Sequence, residues 1–556
     1  MLAALVFLIA LCARLIPLRF STLPYCIDGF PLARISEIIV NTGAIPNPGD
    51  YGGLLAYNMK LPVFSEVLAM FSIVLGVEPL VLIPYFCALM GSLSVLFIFA
   101  LAKKLTKNDL ASFAAGMFAA LTGLFVYVTA AAMKQLLAIT LLCFILYLYP
   151  RREDWRFRLA MGASVALLPF THHLTSLIAL LILSFSLVGT AFRRSYPHVR
   201  TVKGVLLDAI FGPCILIASL FYYRAVNLEM VSTVMNANDI VLLASVVIIA
   251  AVLVRILSMT AQTKPWFFLG KGEKNKITIW HIMDEKVLLI VICIAALYIN
   301  SRVHIFTGAS MTTDTTLKLM VPYVLLAIIG LIGFNVLRYT KFPRRNLIVG
   351  MFMAPLSLMF FAVVRDLDAF ESMLASRSYN FADIPLAITA GIGLAYIVAS
   401  ISKHAKEHAF FKPLPAFAVA IFIMLCAMSL PLAYGGQEAF GGQPITRDYE
   451  MSAMEWTAQH GAGSIVTDQR LGDIIDPYYG SVADKTGPWK IKAGAVGNNS
   501  LLLVSDSWTE IGAQMHPLEN IMFTDESMSG FLDGCNVCYT GGPRGSKMIV
   551  ALYIDG

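Results

Sequence analysis

The chain is divided by apolar stretches close to the roughly 20 residues that a helix needs to cross a hydrocarbon core. They fall at about 2–18, 79–102, 110–131, 135–149, 157–171, 174–192, 204–223, 238–260, 286–301, 317–337, 346–365, 382–402 and 413–434, giving about thirteen candidate spans. Within lipid every backbone N–H and C=O must be paired inside the segment, so such stretches become helices. Composition agrees: 58% of residues are hydrophobic and 14% charged, where a soluble domain has roughly 45–50% and about 25%. A soluble enzyme, a disordered chain and a nucleic-acid-binding module are excluded. The expected fold class is a polytopic α-helical membrane protein.

The net charge of +6 conceals an asymmetry. Residues 436–556 hold 7 Lys/Arg and 15 Asp/Glu, a net −8, which leaves +14 on residues 1–435. Basic short loops mark the cytoplasmic side of a membrane. With a cytoplasmic N-terminus, the even-numbered spans all exit into such loops, including Lys103-Lys104, Arg151-Arg152, Arg193-Arg194 and Lys403 with Lys406. An odd span count then places the acidic C-terminal part outside. The expected organisation is a transmembrane domain, 1–435, with a first external loop at 19–78, and an extracytoplasmic α/β domain, 436–556. Residues 61–77 are apolar enough to cross, but counting them inverts the charge pattern. They are read as an interfacial helix under the first external loop. Arg14, near the outer end of the first span, is expected to snorkel to the interface. In the external part, 448–460 has helical spacing, and SIVTD, LLLVSD, NIMFTD and KMIVALYID read as strands.

Chemistry is most readable in the long first loop, which is rich in turn formers. Asp28 lies near the membrane surface in Asp-Gly-Phe-Pro, a pattern that suits either a helix N-cap or a general base. His172-His173 lie at an outer bend, where imidazoles bind phosphate, move protons or ligate metal. On one helix, adjacent histidines point different ways and do not share a ligand. Asp366 and Asp368 form an Asp-x-Asp pair, readable as a hard-cation site or a solvated loop. Cys535-x-x-Cys538 lies on the external side, where a short disulfide is expected; zinc would require two further ligands. No Walker loop, Rossmann fingerprint, HExxH or GxSxG is present, so the substrate must arrive already activated.

An Asp just outside the first span, a short amphipathic helix, a Gly-x-x-Pro turn from Gly43 to Pro46, a second interfacial helix opened by Pro62 and closed by Gly76, and then a run of spans together resemble the GT-C glycosyltransferase superfamily. This group includes oligosaccharyltransferase catalytic subunits and protein O-mannosyltransferases; the external C-terminal domain is similar to the archaeal oligosaccharyltransferase branch. The resemblance implies a polyprenyl-phosphate-linked sugar donor drawn from the membrane lipid and an acceptor protein, lipid or glycan on the outer face. It also implies Asp28 as the catalytic carboxylate and Arg377, in LASRSYNFADIP, as the residue that meets the donor phosphate. Lys60 is a second phosphate candidate. Two departures stand out. No WWDYG motif is present, and the segment TAAAMKQLL carries no acids where those enzymes hold a second metal motif. No cofactor is certain, and divalent metal and Asn-sequon specificity stay open. A transporter or flippase, and a non-catalytic scaffold with an external partner-binding domain, are the rival readings.

The topology has a direct check. Cysteines introduced after position 440 should be labelled from outside intact cells, and those at 345 or 405 should not; external labelling at 345 contradicts the cytoplasmic N-terminus.

Overall fold

The computed structural model describes residues 1–191, 202–226, 228, 237–260, 313–339, 345–365, 369–405, 412–435, 443–461, 464–515, 520–543 and 548–553. Among these, eight helices are long and apolar enough to cross a membrane, or up to ten if each of two bent helix pairs is one span. The protein is a multi-pass membrane protein. Leu2–Arg14 and His173–Gly189 are shorter apolar helices. The candidate span at 286–301 lies outside the described residues.

The first ten helices are α1 (Leu2–Arg14), α2 (Gly29–Thr42), α3 (Gly53–Met59), α4 (Val63–Leu75), α5 (Pro79–Thr106), α6 (Asp109–Leu121), α7 (Gly123–Ala130), α8 (Lys134–Leu148), α9 (Trp155–Thr171) and α10 (His173–Ala191). The stretch expected as one span at 110–131 is instead α6 and α7, bent by 63°. The chain breaks at Thr122, which is extended at φ −70 and ψ 124. Close packing holds the bend: a Cβ at Gly123 would stand 2.0 Å from the Ser429 carbonyl oxygen.

The bend explains Arg14. Its side chain does not snorkel; the residue is 2% exposed. The guanidinium donates to the carbonyls of Ala119 (3.2 Å) and Ala120 (3.5 Å), which the break in α6 leaves without helical partners. It also donates to Ala10 O (3.1 Å) and, through Nη2 and Nε, to the Thr129 hydroxyl at 2.6 and 3.0 Å. A buried cation is tolerated when its donors are all used, and here five hydrogen bonds surround it. α5 approaches so closely that a Cβ at Gly91 would lie 1.9 Å from the Thr129 carbonyl oxygen.

The segment expected to lie along the interface forms α4, a helix of 13 residues. At 1.5 Å per residue this is about 20 Å, short of the roughly 30 Å hydrocarbon core. It turns 84° from α3. Met70, Ile73, Val74 and Leu75 are exposed on it, an apolar face suited to lipid. The expected span at 382–402 starts earlier, in a continuous helix Ala369–Ala405 of 37 residues. Arg377 therefore sits two turns inside a helix and not in a preceding loop.

The C-terminal part carries helix Asp448–His460 and a five-stranded sheet of order β2-β1-β3-β5-β4, with β1 Ile465–Val466, β2 Ala483–Asp484, β3 Ser500–Ser505, β4 Cys535–Gly541 and β5 Met548–Tyr553. β2, β1 and β3 pair in parallel; β3–β5 and β5–β4 are antiparallel. NIMFTD forms no strand beyond one bridge, Ile521 to Ala513, because Thr524 already caps the helix Asp525–Leu532. Cys535 and Cys538 are free and lie on the same strand. Three residues of extended chain span about 10 Å, beyond disulfide reach, so the expected disulfide is not formed.

This domain docks on the first loop. Phe30 of α2 packs edge-on against Tyr478, and the Tyr478 hydroxyl donates to Glu37 at 2.9 Å. The Cys26 N–H donates to Pro444 O (2.8 Å), and Tyr25 bridges Ile445. The buried Arg470–Glu450 pair also holds the segment before helix Asp448–His460, Arg470 donating to Ile445 O at 3.4 Å.

Arg14→Leu should destabilise the fold by about 2–4 kcal/mol, because the Ala119 and Ala120 carbonyls lose their donors. Gly91→Ala should act in the same direction by steric conflict. Unfolding in mixed micelles measures both, and wild-type stability in Arg14→Leu would show that the clasp carries no load.

Candidate active site

Asp28 occupies the N-cap position of α2 but does not act as a cap. Its backbone is helical (φ −59, ψ −19) and its side chain accepts no capping hydrogen bond. A capping carboxylate needs an extended backbone to reach the first free N–H groups. Here a turn supplies the partners: Gly29 N–H donates to Cys26 O (3.1 Å) and Phe30 N–H to Ile27 O (3.2 Å). The half-buried carboxylate is thus left for other work. Its place is set from both sides. Ala132 N–H donates to Tyr25 O at 2.7 Å, and the Tyr25 hydroxyl donates to Ala433 O at 2.5 Å. Gly29 is required there, since a Cβ would come within 2.5 Å of Pro24 and 2.7 Å of Ala132. Cys26 adopts φ 88, a left-handed backbone rare outside glycine. Its thiol is partly withdrawn from water and lies near the Asp28 carboxylate; both effects push its pKa up, to about 12.

Around Asp28 the structure gathers residues from distant parts of the chain. Lys134, the first residue of α8, lies within electrostatic reach of both Asp28 and Arg377. So does Tyr57 of α3. His172 and His173 both lie within reach of Lys134 and Arg377. Asp28, His172, His173 and Arg377, expected as site residues, therefore share one region. Lys60 forms the corner between α3 and α4, and its carbonyl accepts from the Tyr222 hydroxyl at 2.8 Å. Asp366 and Asp368 lie outside the described residues.

The histidines differ from expectation. They do not share a helix: His172 is extended (φ −160, ψ 121) at the end of α9, and His173 opens α10. The rings consequently face each other, 5.0 Å between centroids, instead of diverging. His172 Nδ1 lies 2.9 Å from the Thr175 hydroxyl and accepts the Thr175 N–H at 3.3 Å. His173 Nδ1 is buried and has no hydrogen-bond partner among the described residues.

His173 and Arg377 stand on the wall of a cavity of about 500 Å³. The rest of the wall is mostly aliphatic, with Leu177, Leu180, Leu216 and Leu243 among its residues. It runs among α10 and the helices Ile215–Ala225, Ala237–Thr260, Arg345–Val364 and Ala369–Ala405. Such a space suits a hydrocarbon chain whose anionic head meets Arg377.

Lys134 is the residue that sequence reasoning missed. Its signal was a lone cation in TAAAMKQLL, a segment read only for the acids it lacks. An intramembrane charge is a functional-site hypothesis in its own right. A divalent cation fits this cluster poorly. Among the described residues no group of three or more His, Cys, Asp or Glu is placed to hold an ion. One carboxylate stands here with two cationic side chains, which repel a third positive charge.

Neither a protein-family model nor a curated protein matches the chain. Solved structures do. The archaeal oligosaccharyltransferase AglB from Archaeoglobus fulgidus, in complex with an inhibitory peptide and a dolichol-phosphate, superposes with TM-score 0.53 at 13% identity, covering 98% of this chain and 74% of that one. The same organism's enzyme tethered to an acceptor peptide containing the NVT sequon gives 0.52, 13%, 98% and 75%. Its complex with zinc and sulfate gives 0.52, 12%, 99% and 73%. The chain thus shares the fold of these oligosaccharyltransferase structures, the fold that the first-loop resemblance implies.

The surroundings of Cys26 can be probed chemically. At pH 8 it should react with maleimide far more slowly than the exposed Cys538, since little of it is thiolate. Asp28→Asn removes a negative neighbour, lowers the thiol pKa and should speed Cys26 labelling; an unchanged rate places Asp28 elsewhere.

Proposed function

We propose that this protein is a membrane glycosyltransferase that moves a sugar or glycan from a polyprenyl-phosphate-linked donor to an acceptor on the outer face of the membrane. One observation carries the reading: a half-buried carboxylate, two cations and the wall of a mostly aliphatic cavity meet in one region. The polyprenyl chain lies in the cavity, with its phosphate against the Arg377 guanidinium, whose planar fork matches phosphate oxygens. The dolichol-phosphate bound by a structure of the same fold supports this donor class.

The acceptor heteroatom attacks the anomeric carbon, and its proton passes to Asp28. The bond from that carbon to the phosphate oxygen breaks, and the electron pair stays on the lipid phosphate. Arg377 stabilises the charge that develops there, which is where an enzyme of this kind gains most. Lys60 and the histidine pair are further candidates for contact with the head group. The cytoplasmic N-terminus read from the basic loops puts this site and the C-terminal domain on the outer face, where an acceptor protein, lipid or glycan is reached. A transporter would place its ionisable groups along a route through the bilayer; here, among the described residues, His173, Tyr223 and Arg377 are the ionisable lining of a wall otherwise built of apolar side chains and the hydroxyls of Ser176, Ser184 and Ser219.

The test is transfer from a radiolabelled polyprenyl-phosphate-sugar pool by the full-length protein in nanodiscs. Asp28→Asn should lower transfer by about 10²-fold or more while leaving donor binding intact. Arg377→Lys keeps the charge but loses the fork, and should weaken donor binding by about tenfold. A wild-type protein that neither binds polyprenyl phosphate nor transfers sugar overturns the reading.

A further inference from the structure

Lys134 has a combination of features that the fold alone does not explain. It is 8% exposed, and its Nζ has no hydrogen-bond partner among the described residues. The neighbour it does have is the Tyr57 ring, 4.0 Å from Nζ to the centroid, which steadies a cation weakly. A buried ammonium without acceptors is strongly destabilising, so such a residue is kept for something other than packing. Its position makes matters worse. Lys134 opens α8, and the N-terminal end of a helix is the positive end of its dipole. Met133 provides no side-chain cap there. Arg377 adds a like charge within electrostatic reach. His173 Nδ1, in reach of the same two cations, is also buried without a partner. The region holds an excess of positive charge and unused hydrogen-bonding capacity that an anion would complete.

We infer that Lys134 is the fixed cation that receives the donor phosphate beside Arg377, in the role a divalent metal ion would otherwise fill, so that transfer proceeds without a metal. This rests on the glycosyl-transfer reading above and names the group that performs one of its steps. When the anomeric C–O bond breaks, the departing phosphate gains one negative charge. The ammonium of Lys134 donates hydrogen bonds to the phosphate oxygens, and the guanidinium of Arg377 forks onto them. Two side-chain cations thus hold the charge that develops on the leaving group, and Asp28 keeps the acceptor proton. Among the described residues, Asp28 is the carboxylate that acts on this cluster, a donor set suited to a base between cations and not to a metal cage.

The experiment uses the full-length protein in nanodiscs with a polyprenyl monophosphate as probe. Binding is measured with and without EDTA, for wild type, Lys134→Met and Lys134→Gln, together with each protein's thermal midpoint free of ligand. The expected results are wild-type binding unchanged by EDTA and affinity lower by about tenfold to a hundredfold in both variants. The midpoint of Lys134→Met should be equal to or higher than wild type, because an unpaired buried charge has been removed. Inorganic phosphate should bind about a hundredfold or more weaker than the lipid phosphate, since it lacks the chain that fills the cavity. Binding abolished by EDTA and restored by magnesium, manganese or zinc overturns the inference. So does unchanged affinity in both variants, with or without a loss of stability. Equal binding of inorganic and lipid phosphate overturns it as a lipid-phosphate site. In all three cases the wild type still binds polyprenyl phosphate, and the glycosyltransferase reading stands. A wild type that binds none overturns both.

Discussion

A guanidinium buried at the end of the first helix organises one end of the membrane part. Arg14 takes up the carbonyls of Ala119 and Ala120 that the break between α6 and α7 sets free, and anchors on Thr129 beyond the break. The interaction is mutual. Without the arginine the bend leaves unsatisfied carbonyls in an apolar interior, and without the bend the arginine has no acceptors. Gly91 and Gly123 supply the close approach that lets α5 and the Ser429 turn pack against the bent segment. The Tyr434 hydroxyl closes the arrangement by donating to Ala13 O at 2.5 Å.

From that anchored point the chain emerges in a fixed direction, and this decides where the chemistry can be. Tyr25 pairs with Ala132, two residues before Lys134, and its hydroxyl reaches Ala433. One tyrosine therefore sets the spacing between the Asp28 loop, the start of α8 and the segment leading to the C-terminal domain. The docking of that domain on α2, through Phe30 and the Glu37–Tyr478 hydrogen bond, holds the helix that Asp28 opens. A carboxylate on a long loop becomes a positioned group because three distant segments constrain it.

The site that results is electrostatically lopsided. One carboxylate lies within electrostatic reach of a cation at the start of one helix, which in turn lies within reach of another two turns inside a second helix, next to a cavity lined mainly by aliphatic side chains. Charges in such surroundings act over longer distances than in water, and those that lack partners are destabilising. Beside the mostly aliphatic cavity they are the groups that the proposed lipid phosphate would neutralise.

Apolar runs of membrane length could be read directly from the residues, because lipid dictates helices wherever such runs occur. The first-loop architecture around Asp28, the helix at 448–460 and most of the strands were legible for the same local reason: each depends on spacing and turn residues within its own segment. Other features depend on partners far away in sequence. Whether Arg14 reaches the interface or stays buried is settled by carbonyls more than a hundred residues later. The two cysteines stay apart because a strand, and not a turn, forms between them. His172 and His173 face each other because the helix breaks between them, and Lys134 joins the site because α7 ends where Tyr25 can pair with Ala132. Local sequence determined what each segment is. Only the tertiary structure decided which charges meet, since burial and the pairing of distant backbone groups are properties of the assembled chain.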